Sequence, residues 1–252
     1  MNRELLGIDV GGSSVKLARV AVDTGQVLGR LQSVPTPVPS DPQRVLQVAL
    51  EHPLAAATAG PVGLAFPAVV KDGRARTAAN VDPSWVGFDA PAWFAERCGR
   101  SCAFLNDADA AGLAEMRFGA GRGVRGVVFV LTLGTGIGSA PFVDGHLLPN
   151  SELGHMAVAG LGEVEAEAYA SARTRTALGL DWAAWVARLD RVLAEVQRLF
   201  WPDLFILGGA VSERFAEWGP LLRCPVEVRA AALGASAGAI GAAIAAHERY
   251  NP

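Results

Sequence analysis

The chain has little cysteine, no long apolar run and no excess of positive charge. Its three cysteines, Cys98, Cys102 and Cys224, form no metal-ligand pattern and leave an odd thiol. That excludes a disulfide framework and fits a reducing compartment. Cys98 and Cys102 lie four apart, but Gly99 and the extended run after Arg100 keep them off a shared helix face. Both read as ordinary buried thiols. No apolar stretch reaches the ~18 residues of a membrane span. Met1-Asn2-Arg3-Glu4 leads straight into a strand-like run, without the charged and apolar regions of a signal peptide. A cytoplasmic protein with no membrane partner is expected. The net charge of −3 does not fit a nucleic-acid binder. Lysine is scarce too, two residues against twenty arginines, and one of the two is Lys16 in a glycine-rich segment. Arg117, Arg122 and Arg125 cluster, as do Arg173 and Arg175; such groups are either a solvated face or a local track for a polyanion.

Among the 252 residues, 51% are hydrophobic and 19% charged, so the chain can bury a sizeable core in one large domain or two lobes. Asp9-Val-Gly-Gly-Ser-Ser-Val-Lys16 follows the apolar run Leu5 to Val10. Leu133-Gly-Thr-Gly-Ile-Gly-Ser139 follows the apolar run Val127 to Leu133. Each reads as a strand, a tight glycine turn and a second strand. Glycine admits positive φ and lets an anion approach backbone N–H groups. One such turn is an ordinary hairpin; the recurrence points to two lobes that each bring amides to a phosphate. Neither is a Walker A loop or a Gly-x-Gly-x-x-Gly loop opening a helix.

The first lobe reads as strands near 4–10, 14–22 and 26–34. The proline-rich segment Val34–Pro39 is expected to leave the sheet. A helix begins at Ser40-Asp41-Pro42, strands follow at 61–66 and 102–105, and a helix spans 89–98. Asn106-Asp107 then opens a helix to about Phe118. The second lobe repeats the plan: strands at 126–133, 137–143 and 146–148, helices near 163–171 and 181–200, a strand at 204–207, a helix at 212–218, a strand near 225–229 and a closing helix from Gly234. The expected division is an N-terminal lobe over 1–115 and a C-terminal lobe over 116–252, with the closing helix able to pack back on the first lobe. Two such units make a duplicated α/β architecture with mixed sheets.

Asn106-Asp107 sits where a strand ends and a helix begins, the usual address of functional groups in open α/β sheets. An aspartate there can act as general base on an attacking hydroxyl; both residues are also good helix caps. Asp109 reads as a charge on the helix dipole. In Asn150-Ser-Glu-Leu-Gly-His155, Glu152 and His155 are suited to bonding adjacent hydroxyls of a sugar ring, or else belong to a surface loop. They are too few to make a zinc site. Glu163, Glu165 and Glu167 alternate behind them, at least one turned inward. Gly208-Gly209 closes a strand ahead of a helix start, a geometry that offers amides and a positive dipole end to a polyphosphate.

Together these segments resemble the sugar-kinase branch of the actin-like ATPase superfamily, more narrowly the ROK family, and within it the bacterial polyphosphate glucokinases. Thr77–Gly87, Leu105–Glu115, Ala166–Ser171 and Trp201–Gly209 also match, in family order over nearly the whole chain. The resemblance implies a duplicated ribonuclease H-like (actin-like ATPase) fold of two lobes with an interlobe cleft. It also implies Mg²⁺-dependent phosphoryl transfer from polyphosphate, and from ATP, to the 6-hydroxyl of glucose. Asp107 would be the catalytic base, beside sugar-binding Asn106, Glu152, His155 and Glu167. Asp9, Gly11, Gly12, Ser13 and Lys16 would form the first phosphate loop, with Asp9 near the magnesium. Gly134, Thr135 and Gly136 would form the second, and Gly208 and Gly209 the donor-side motif. A homodimer is implied as well, with no nucleic-acid partner.

Several features depart from the family pattern. The span Met156–Glu165 lacks the cysteines of the zinc loop that many members carry, so no structural zinc is expected. Ser13 replaces a usual threonine, and Ser14 and Leu17 stand where relatives commonly have glycine. Two rivals remain: an ATP-dependent kinase for another hexose, such as mannose or an N-acetylated amino sugar, and a non-catalytic sugar-binding regulator.

Overall fold

Two sheets with one strand order organise the chain, whose computed structural model describes residues 3–78 and 81–250. In the first, β1 (Glu4–Val10), β2 (Ser14–Ala21) and β3 (Gln26–Val27) form an antiparallel meander, and β4 (Gln32–Pro35) also pairs with β2. The chain then crosses through α1 (Pro42–Glu51) and the short α2 (Pro53–Ala56) to β5 (Val62–Phe66), which lies parallel to β1. A small hairpin, β6 (Val70–Lys71) with β7 (Arg74–Ala75), and helix α3 (Ala90–Cys98) lead to β8 (Cys102–Asn106), parallel to β5. Helix α4 (Asp107–Phe118) completes this run. In β5 all five residues are buried, as expected of a central parallel strand covered on both faces. Helix starts follow local chemistry: Asp41 accepts from Arg44 N at 3.1 Å and Asp89 from Ala92 N at 2.9 Å.

The second sheet repeats this order with β9 (Val127–Leu133), β10 (Ile137–Val143) and β11 (His146–Leu147) antiparallel, then β12 (Leu204–Gly208) parallel to β9 and β13 (Glu227–Ala230) parallel to β12. Between β11 and β12 come α5 (Ala166–Ala170), α6 (Ala172–Ala177) and the 19-residue α7 (Trp182–Phe200). The buried stripe of α7, Trp185, Leu189, Val192 and Val196, recurs at helical spacing and enters a core with Phe129, Phe205 and Trp218. A short α8 (Phe215–Trp218) precedes β13.

Residues up to Phe118 pack as one unit together with those from Ser236 onward, and Gly119–Ala235 pack as another. The closing helix (Ala237–Tyr250) lies against β1, β5 and α4 of the first unit. The two faces of that unit's sheet differ. One carries large side chains, including Leu46, Phe66, Trp85, Phe94 and Phe104. The other carries small ones, Ala65, Ala110 and Ala242. Backbone approaches there are so close that a Cβ on Gly63 would overlap the carbonyl of Ala242, and one on Gly241 that of Ala110.

Several expected elements are revised. The single strand over 26–34 is two short ones separated by a turn through Gly29, at φ +91°. The proline-rich segment does not leave the sheet at once, because Val34 and Pro35 pair with Val15 and Ser14. Proline is tolerated there on an edge strand. The helix near 163–171 is only the five-residue α5, which ends at Ser171; the Ser171 hydroxyl caps a further short helix, α6, by accepting from Thr174 N at 3.2 Å. Of the Thr77–Gly87 segment, Ala79 and Asn80 lie outside the described residues. Its Trp85 is fully buried and donates to Ser40 O at 2.8 Å.

Candidate active-site groups

The β1–β2 turn carries charge in the first unit. Asp9 and Lys16 are register partners, and Nζ reaches Oδ2 at 3.3 Å. Burial pushes the Asp9 carboxyl up from its ordinary value, while the Lys16 ammonium works in the opposite direction. A Cβ on Gly238 would lie 2.7 Å from Asp9 Cγ, so the first turn of the closing helix rests on this carboxylate. In the turn itself, Gly11 N donates to Ser14 O at 2.9 Å, and Gly12 and Ser13 are exposed. Thr36 closes the turn from the side, donating from Oγ1 to Gly11 O at 2.6 Å and from its amide to Ser13 O at 3.2 Å. For magnesium, Asp9 offers a hard oxygen donor, with Oδ1 outside the Lys16 contact. One carboxylate plus substrate phosphates is a usual Mg²⁺ set, so the residue present fits.

At the β8–α4 junction, Asn106 rather than Asp107 performs the capping. Asn106 is buried; its Oδ1 accepts from Asp109 N at 3.0 Å and its Nδ2 donates to Ala68 O at 3.1 Å. A primary amide has two donors and two acceptor sites, so one of each is still available after these bonds. The half-buried Asp107 accepts from Ala108 N at 2.8 Å through Oδ1. Asp109, expected as a helix-dipole charge, is almost wholly buried in the first turn of α4.

In the second unit, the β9–β10 turn is shorter and uncharged. Gly134 N donates to Gly136 O at 3.0 Å, Thr135 is exposed at the tip, and Arg173 N donates to Gly134 O at 3.1 Å. Gly209 stands at φ +87°, and a Cβ there would overlap the backbone of Leu133, so Gly208-Gly209 lies directly against the base of this turn. The following segment is a five-residue 3₁₀ helix, Ala210–Arg214, in place of the expected α-helical start. So short a helix lacks the aligned peptides of a strong dipole.

The Asn150–His155 segment is fixed by Ser139 of β10. Its hydroxyl donates to Ser151 O at 2.9 Å and accepts from Leu153 N at 3.1 Å. Glu152 precedes a 3₁₀ turn that ends at His155. Glu167, in the first turn of α5, points at this region, with Oε2 at a long 3.4 Å from Ile137 N. Burial pushes the Glu152 carboxyl up; His155 opposes this and Glu167 adds to it. His155 Nδ1 meets Glu165 Oε2 at 3.1 Å, and this hydrogen bond is the main cause that pushes the imidazole up from 6.5, against desolvation. The charges of Glu165, Glu167 and Glu152 act the same way. His155, Glu165 and Glu167 each bring a ligand-type atom within 4.8 Å of the others. His155 Nδ1 is already engaged by Glu165, and structural zinc takes four mainly sulfur and nitrogen ligands.

The expected groups lie in separate sets: Asp9, Lys16 and Gly11 to Ser13 at the β1–β2 turn and Asn106 and Asp107 at the β8–α4 junction of the first unit, and Glu152, His155 and Glu167 in the second, with the glycines Gly134, Gly136, Gly208 and Gly209 around one turn. Two residues join them that the sequence pattern did not single out. Thr36 gives no local signal beyond its position between two prolines. Glu165 is one of three alternating glutamates.

The ROK family model matches residues 5–174. A polyphosphate glucokinase of Mycobacterium tuberculosis (strain CDC 1551 / Oshkosh) is 45% identical over 246 residues, covering 96% of this chain and 91% of the relative. Among solved structures, the inorganic polyphosphate/ATP-glucomannokinase from Arthrobacter sp. strain KM superposes with a TM-score of 0.90 at 44% identity, over 99% of this chain and 100% of the other. A ROK family glucokinase from Streptomyces griseus in complex with glucose and AMPPNP gives a TM-score of 0.75 at 26% identity, over 95% and 98%. No helix among the described residues is long and apolar enough to cross a membrane.

Proposed function

Because the chain belongs to the ROK family, we propose that it transfers a phosphoryl group from inorganic polyphosphate, with ATP as a second donor, to the 6-hydroxyl of glucose. The observation that carries this is its likeness, over nearly its full length, to a polyphosphate glucokinase. A sugar hydroxyl is a weak nucleophile, so the rate depends on alignment, a base and neutralisation of the transferred charge. Asp107 takes the hydroxyl proton as the oxygen forms its bond to the terminal phosphorus. The bond from that phosphorus to its bridging oxygen breaks, and the shortened donor departs with the electron pair. Asn106 fixes the start of α4 through Asp109 N and keeps an amide donor for the sugar. Glu152, His155 and Glu167 hold the remaining ring hydroxyls. The amides of the Gly11–Ser13 and Gly134–Gly136 turns, Gly208-Gly209 and the Lys16 ammonium hold donor phosphates. Asp9 would hold Mg²⁺, which offsets phosphate charge when bound.

A cytoplasmic homodimer completes this reading, and sedimentation of the purified protein measures its assembly. That the Arthrobacter relative is a glucomannokinase favours mannose as an additional acceptor here. The direct test measures hexose 6-phosphate formed with magnesium, with polyphosphate and ATP supplied separately. Glucose 6-phosphate from polyphosphate is expected. Product from ATP alone would remove the polyphosphate assignment, and no product from either donor would overturn the kinase reading.

A further inference from the structure

We propose that Glu165 is a positioning residue for His155: its carboxylate fixes the imidazole in the Nδ1–H tautomer, so that Nε2 is the atom turned over to the sugar. The proposal rests on the reading in which His155 holds a sugar hydroxyl.

Glu165 occupies the N-cap position of α5, where a side chain ordinarily accepts from the first turn, yet it makes no capping bond. Its carboxylate instead meets His155 Nδ1 at 3.1 Å. The backbone makes this contact repeatable. Ala157 and Glu165 form an antiparallel bridge, Val158 N donates to Val164 O at 2.9 Å, and Ala166 N donates to Met156 O at 2.8 Å. The segment 156–166 is therefore a loop closed at its base, beside His155. Val158 and Ala166 are buried in the core of the second unit, and Arg191 Nη2 donates to Ala159 O at 2.8 Å, tying the loop to α7. The neighbouring glutamates do not share this role: Glu163 is exposed, and Glu167 is directed to Ile137 N.

An imidazole whose Nδ1–H is held by a carboxylate presents a single kind of atom at Nε2, a lone pair when neutral. Without that partner the ring exchanges tautomers and rotates, so Nε2 no longer offers the sugar hydroxyl one fixed kind of partner. Glu165 thus supplies the orientation that a metal or second carboxylate gives histidines elsewhere.

The test compares Glu165→Ala and Glu165→Gln with the wild-type protein. Long-range ¹H–¹⁵N spectra report the His155 tautomer, assigned by its loss in His155→Asn. Calorimetric titration gives the glucose Kd, and steady-state assays give kcat and KM for glucose and for polyphosphate. Glu165→Ala is expected to lose the Nδ1–H tautomer and to weaken glucose binding about tenfold, the worth of a hydrogen bond to a charged group, with kcat and KM for polyphosphate nearly unchanged. Glutamine keeps an acceptor for Nδ1–H, so Glu165→Gln should retain the tautomer and recover most of the affinity. Unchanged tautomer or unchanged glucose affinity in Glu165→Ala would overturn the proposal, as would equal damage from Ala and Gln. Wild-type protein that binds glucose but never phosphorylates it would sink the kinase reading alone, because the spectra and the glucose Kd need no turnover.

Discussion

The two units share a strand order yet furnish their glycine turns differently. Across the first turn a carboxylate and an ammonium face each other as register partners, Asp9 with Lys16. At the corresponding register of the second, Thr132 faces Gly138, and no charge is present. Instead the second unit gathers its ionisable groups, Glu152, His155, Glu165 and Glu167, on the segments that follow β10. Topology therefore fixes where a functional turn can stand, while the side chains at the register positions decide its chemistry. In the proposed reading, a duplicated fold divides labour in this way: base and charge in one half, sugar hydroxyl partners in the other.

Removing the proposed base tests this division most severely. Asp107→Asn should lower kcat by about a thousandfold, the usual range for general-base catalysis, while glucose binding measured by calorimetry stays close to wild type. Loss of glucose binding with intact turnover per bound sugar would reverse the roles of the two halves.

The next effect separates the packing of the two units. Gly63→Ala drives a methyl into the Ala242 carbonyl on the closing helix, where backbone cannot move aside cheaply. About 3 kcal/mol of destabilisation is expected from such overpacking. Gly134→Ala places its methyl in open space, with no neighbour within 4 Å. It should leave thermal unfolding nearly unchanged and raise KM for the phosphoryl donor. Similar melting shifts in both variants would show that the tight backbone approach is not what holds the first unit.

Lys16→Met sharpens the contrast between a charged and an uncharged turn. It leaves Asp9 largely buried without its ammonium, at about 1–2 kcal/mol after allowance for the partial exposure of Lys16. Because the folded carboxyl is already pushed above 3.8 and the substitution pushes it further, the folded variant binds a proton that the unfolded chain has lost. Its deficit relative to wild type should be full at neutral pH and shrink as the pH falls through the raised pKa of the folded carboxyl, below which Asp9 is protonated in the folded form of both proteins. A pH-independent deficit in denaturant titrations would exclude Asp9 as its cause.

The smallest effect belongs to the second unit. His155 is held above 6.5 by Glu165, so the pair's contribution is complete below that value and disappears as pH rises through the folded pKa. With both side chains nearly half exposed, the stability lost in Glu165→Gln should stay within about 1 kcal/mol and vanish at alkaline pH. A difference that grows with pH would contradict the pairing.

Much of the layout was legible because local chemistry decides it. Apolar runs bounded by glycines marked β1, β9 and β12, and Ser40-Asp41-Pro42 marked a helix start, which needs only three or four residues. Asn106-Asp107 was legible as a junction, but its division of roles was not. Which of two adjacent polar residues caps the helix depends on where Ala68 O lies, 38 residues away. Likewise, alternation put Glu163, Glu165 and Glu167 forward together, and only the closure of the 156–166 loop singles out Glu165 for His155.

The sequence by itself determined the two glycine turns, the strands that lead into them and the polar residues at strand ends, since backbone freedom, capping and burial periodicity act over a few residues. Tertiary structure decided which unit claims the closing helix and how the glycine turns are braced. Those outcomes depend on backbones far apart in the chain coming into contact: Gly63 on Ala242, Gly238 on Asp9, Thr36 on Gly11. Such contacts are set by the shape of packed surfaces, and no local pattern of residues encodes that shape.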